Sequence, residues 1–123
     1  MDGIPGTITS ISASFSATGT TTPAFDANIY FGGTTGLTGV GGEYSYYIDN
    51  DSTAYSTAQT ITGDGSYDFI LNSSAVTVAN TKPTDFVIAF IHDFDYTLTA
   101  PTVLDQTYQT SIGSPTLRVT YTS

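Results

Sequence analysis

The chain has 123 residues, no cysteine, a formal net charge of −9 and a charged fraction of only 11%. Eleven acids face just Lys82 and Arg118, which excludes a groove that neutralises nucleic-acid phosphates and a surface that binds anionic lipid. The absence of thiols excludes a disulfide framework and thiolate metal sites.

What remains is a length suited to one domain over residues 1–123, able to bury roughly two thirds of its unfolded surface. No window approaches the ~20 apolar residues of a membrane span. The start, MDGIPGTITS, has neither the basic region nor the apolar block of a secretory signal.

From the N-terminus, Thr7 to Phe15 places Ile11, Ala13 and Phe15 on one parity and Ile8 on the other. A β-bulge or an edge position reconciles the two. Ser16 to Pro23 reads as a loop. Phe25 to Phe31 alternates cleanly, with Phe25, Ala27, Ile29 and Phe31 inward and Asp26, Asn28 and Tyr30 outward, the pattern of a half-buried antiparallel strand. Gly32 to Gly42 is too rich in glycine for a regular element and lacks the Lys of a phosphate-binding loop.

Glu43 to Ile48 aligns Tyr44, Tyr46 and Ile48, and Asp49 to Ser52 form a turn. Thr53 to Thr62 is read as a strand, although Ala54 and Ala58 also allow a helical turn, and Gly63 to Leu71 as a turn followed by a strand with Tyr67, Phe69 and Leu71 on one face. A short strand is expected at Ala75 to Ala79. The run Phe86 to His92 is apolar on both parities and is expected to be a central strand covered on both faces. Val103 to Tyr108 is ambiguous, and Thr116 to Thr122 closes the chain with Leu117, Val119 and Tyr121 inward. Short strands separated by frequent turns imply an all-β fold, a single antiparallel β-sandwich of jelly-roll type with about eight strands.

The ending Ser114-Pro115-Thr116-Leu117-Arg118-Val119-Thr120-Tyr121-Thr122 resembles the closing strand of jelly-roll modules in phage structural proteins and bacterial cell-surface proteins. The resemblance covers this strand alone. It implies a virion or extracellular-surface location and a role carried by shape and assembly.

Candidate sites are sparse. Asp49 and Asp51 have the Asp-x-Asp spacing from which calcium takes oxygen ligands, but the loop lacks the glycine and glutamate of an EF-hand, and solvated turn aspartates are the simpler reading. The pairs Asp64/Asp68 and Asp93/Asp95 invite the same question. His92, the only histidine, has no nucleophile elbow to serve and is read as a strand-end residue hydrogen-bonded near the core. Glu43 is the only glutamate, so no pair of carboxylates for glycoside hydrolysis is evident.

The expected function is therefore non-enzymatic, without a required cofactor. It is that of a structural or decorating subunit of a virus or phage particle, or of a cell surface, acting through protein–protein contacts. Such a subunit self-associates, a trimer being one suitable form, with Ile8, Leu37 and Val40 as candidate contacts. The alternative is a lectin-like carbohydrate-binding module with a structural calcium, in which Tyr30, Tyr47, Tyr55 and Tyr108 stack on sugar rings.

Overall fold

The structure, a computed structural model, describes residues 1–20, 24–33, 54–93, 97, 99–100 and 110–123. Six strands and one helix are present among them: β1 (Thr7–Thr18), β2 (Phe25–Gly33), β3 (Gln59–Ile61), β4 (Gly65–Ile70), α1 (Ser73–Ala79), β5 (Val87–His92) and β6 (Ser111–Thr122). They form two antiparallel three-stranded sheets, ordered β4-β1-β6 and β3-β2-β5. The architecture is mostly β, as alternating apolar and hydroxyl residues dictate.

β1 resolves its own parity conflict with a bulge. Ile8 lies opposite Tyr121 but Ser10 opposite Thr120, so Thr9 is an extra residue and the side-chain alternation resets there. Ile8 and Ile11 consequently point to the same face, each only 1% exposed. Below the bulge, Ile8 uses its backbone groups on the Asn80 side chain. Its N–H donates to Oδ1 at 2.8 Å and its carbonyl accepts from Nδ2 at 2.9 Å, so the amide stands in for a missing strand. β1 also runs past Phe15 to Thr18, through residues expected to loop, because Ser16 pairs with Ser66 on one side and Gly113 on the other. Two-sided pairing outweighs the weak strand preference of a Ser-rich stretch.

The two sheets share the larger of two hydrophobic clusters, the smaller being Phe25, Ala27 and Ile61 within β2 and β3. Ile11 and Phe15 of β1, Ile29 of β2 and Phe69 of β4 are buried together, and Phe86, Ile88 and Phe90 pack against them. The Phe90 ring meets Phe15 edge-on at 5.0 Å and Phe69 edge-on at 5.9 Å, a favoured aromatic geometry.

Ala75 to Ala79 is helical and not a strand. Asn72, in extended conformation, caps α1 by accepting the Ala75 N–H at 3.2 Å and anchors the cap by donating Nδ2 to the Ala54 carbonyl at 2.8 Å. Ala75 and Ala79, one turn apart, are both fully buried, a helical spacing that β-branched Val76 and Val78 disguise. Among the described residues 54–62 a strand forms only at Gln59–Ile61, and β2 extends to Gly33, opposite Val87.

β5 forms as expected, with Ile88 and Phe90 on the core face, but among the described strands it does not lie at the centre. Among the described residues it pairs with β2 alone, the middle positions belong to β1 and β2, and of its side chains only Ile91 is buried. β6 also differs. It begins at Ser111 and passes through Gly113, Ser114 and Pro115 by a second bulge, in which Ser114 and Pro115 together face Phe15 and Ser114 takes a positive φ of 48°. Pro is accommodated there because β6, among the described residues, is an edge strand. Its far end is held against the N-terminal lead, where a Cβ at Gly6 would run into the Thr122 carbonyl. No described helix is long and apolar enough to cross a membrane.

Candidate functional site

Of the residues singled out by sequence, two have moved into the core. Ile8 and Tyr55 are each 1% exposed. Ile8 is drawn in by the Thr9 bulge, so it is not a surface contact. Tyr55 is drawn in because its N–H donates to the Ile29 carbonyl at 2.9 Å and its carbonyl accepts from Asn72 at 2.7 Å. Its ring stacks on Phe86 at 6.0 Å, leaving no face for a sugar. Leu37, Val40, Asp49, Asp51, Tyr47 and Tyr108 lie outside the described residues, as do the Tyr30 side chain and the segments 43–52 and 103–108. His92 ends β5, half-buried, with its ring stacked on Phe25 at 5.0 Å. Among the described residues no three His, Asp or Glu side chains come together as a metal site.

Asp64 works as a turn residue. Its Oδ1 accepts the Thr20 N–H at 2.8 Å, tying the turn before β4 to the end of β1. The same turn is clamped by the Tyr67 hydroxyl, which donates to the Gly63 carbonyl at 2.6 Å and accepts from the Thr62 and Gly63 amides at 3.3 Å. The Thr20 N–H holds the Asp64 carboxyl below its usual 3.8. A depressed folded-state value means that this stabilisation is complete above the unfolded value and lost as the pH falls through the folded one. Asp64→Ala is thus expected to melt below the wild type at neutral pH, with the gap narrowing as the pH drops under about 3.8, the usual carboxyl value. Thermal melts at stepped pH check it.

A largely apolar cleft was not singled out by sequence. Between the β5 edge of one sheet and the β6 edge of the other lies an open cleft of about 370 Å³, with Phe15 and Ile29 at its floor, Phe86, Ile88 and Phe90 along one wall and Ile112, Pro115 and Leu117 along the other. No ionisable side chain is among the described residues that line it. β6 overhangs the cleft. Its register puts Ile112, Leu117, Val119 and Tyr121 opposite the buried residues Ala17, Ala13, Ile11 and Ile8, so they share the core-side face of the sheet. Yet Ile112 and Leu117 remain 40% exposed and Tyr121 45%. The alternation is that of a strand with a covered face, yet among the described residues only Val119 of this row packs against the core.

On the opposite face of the same sheet, Ser14 and Ser16 of β1, Ser66 and Asp68 of β4 and Ser114 of β6 line a shallow polar depression. Phe15, which is buried, and Tyr67, which is half-buried, complete its described lining, so it offers hydroxyls and one carboxylate. The chain matches no protein-family model, no curated protein and no solved structure with which it was compared.

Proposed function

We propose that the chain is a non-catalytic structural or decorating subunit of a virus or phage particle, or of a cell surface. In this reading it folds as a single jelly-roll-like β-sandwich and works through protein–protein contact and self-association. The observation that carries the reading is the uncovered apolar face of β6 beside the β5–β6 cleft. A contiguous apolar patch rimmed by hydroxyls marks a place where another macromolecule is buried. The cleft lining offers shape and apolar area, and its described residues add only the Ser14 and Thr116 hydroxyls, with no Asp, Glu, His, Lys or Arg beside them. The net charge of −9 favours solubility of the free subunit.

The test is location. Gold-labelled antibody against the chain, applied to purified particles and to intact cells of its source, is expected to decorate the outer surface of one of them. Labelling of neither, with the chain recovered only from the soluble fraction, overturns the proposal.

A further inference from the structure

We infer that the partner of β6 is the β6 strand of a second copy, the two pairing antiparallel about a twofold axis at Val119. This inference rests on the contact role proposed above and specifies its geometry. Four observations lead to it. β6 is a twelve-residue edge strand, with a partner on its β1 side only among the described residues, and an unpaired edge is a template for a further strand. The bulge and Pro115 interrupt that edge at its first half, since Pro has no N–H to donate. Regular pairing is therefore confined to Thr116–Thr122.

That half is self-complementary. Centred on Val119, an antiparallel pair sets Thr116 opposite Thr122, Leu117 opposite Tyr121 and Arg118 opposite Thr120. Residues directly opposite share a face, so Leu117, Val119 and Tyr121 of the two copies form one apolar band and the Thr and Arg residues a hydroxyl-rich one.

Charge limits where a second copy can sit and, within this sheet, disfavours the β4 edge. Two copies of a chain carrying −9 repel one another, and the contact must lie where acids are absent. β1 and β6 together contain no Asp or Glu, and β6 carries Arg118, one of the two basic residues in the chain. At the other edge of the same sheet β4 carries Asp68.

The association is consequently expected to strengthen with salt. Raising ionic strength from about 0.02 M to about 0.3 M shortens the screening length from roughly 20 Å to roughly 6 Å and weakens the repulsion while leaving apolar burial intact.

Sedimentation equilibrium of the full chain, with Leu117→Glu and Ile70→Glu, tests this. Both side chains are exposed, Leu117 at 40% and Ile70 at 78%, so circular dichroism is expected to show both variants folded. The wild type is expected to be a monomer–dimer system whose dissociation constant falls with salt. Leu117→Glu is expected to raise that constant by at least ~10-fold, because it sets a carboxylate into the apolar band, and Ile70→Glu, on the β4 edge, to leave it unchanged. A monomer at all concentrations, a trimer, or a dimer equally affected by both substitutions overturns the inference. Surface labelling by the antibody would still stand in each of those cases, so failure here is distinguishable from failure of the proposed role.

Discussion

Asn80→Ala is expected to lower the unfolding free energy by about 2–4 kcal/mol, more than any other polar substitution among the described residues. The Asn80 amide makes three side-chain hydrogen bonds, to the Ile8 N–H at 2.8 Å, the Ile8 carbonyl at 2.9 Å and the Val76 carbonyl at 3.1 Å. Alanine leaves both backbone groups of Ile8 without that partner in a part-buried position, and each such group costs about 1–3 kcal/mol. The Ile8 side chain, 1% exposed, resists the outward movement that would bring water to them. Asn80→Asp separates the two halves of the interaction. It keeps an acceptor for the Ile8 N–H but opposes a carboxylate to the Ile8 carbonyl, so at neutral pH it is expected to recover only part of the loss. Urea unfolding of the three proteins at one pH decides this, and an Asn80→Ala midpoint equal to the wild type would remove the strand-substituting role of the amide.

Phe69→Ala is expected to be more damaging, by about 3–5 kcal/mol. Phe69 is completely buried, with its ring 5.5 Å from Phe15 in its own sheet and 5.9 Å from Phe90 in the other. A cavity there loses contacts from both sheets, and the surrounding β-branched and aromatic residues relax into it only partly. Phe90→Ala, at a half-buried site, is expected to cost less. The coupling between them is the informative quantity. A double-mutant cycle is expected to give about 0.5–1.5 kcal/mol for the edge-to-face pair, whereas a coupling of zero would mean that the two sheets do not pack on one another through these rings.

Much of this core was legible because period-2 alternation reports a buried face directly. Phe25, Ala27 and Ile29 are buried as their parity requires, and so are Phe69 and Leu71. Even the anomaly at Ile8 carried information, since a bulge is the simplest way for neighbouring apolar residues of opposite parity to enter one core. Three things were hidden. Val76, Thr77 and Val78 prefer strands, and α1 forms because the Asn72 cap and the two buried alanines override that preference. The continuation of β1 through Ser16 and Ala17, and of β6 through Pro115, depends on pairing across the sheet, which no local pattern reveals. β5 has the composition of a central strand, yet among the described residues it flanks β2 on one side only.

The site was less legible than the fold for one physical reason. Alternation shows that a face is apolar and does not show what covers it. Leu117, Val119 and Tyr121 have the same sequence signature as Ile11, Ala13 and Phe15, but of the three only Val119 packs against the core, while Leu117 and Tyr121 stay exposed. Conversely, Ile8 and Tyr55 looked available as surface residues because the bulge and the backbone bonds to Ile29 and Asn72 that bury them are tertiary features.

The account turns on β6 being an open edge in the free chain and a paired one in the assembly. Amide hydrogen exchange along Thr116–Thr122 at low and high protein concentration measures this. Alternate amides, those directed away from β1, are expected to exchange rapidly when dilute and to become protected as concentration rises, while the amides of β1 stay slow throughout. Uniform protection of β6 at the lowest concentration, or exchange of its outward amides that no increase in concentration slows, would contradict the account.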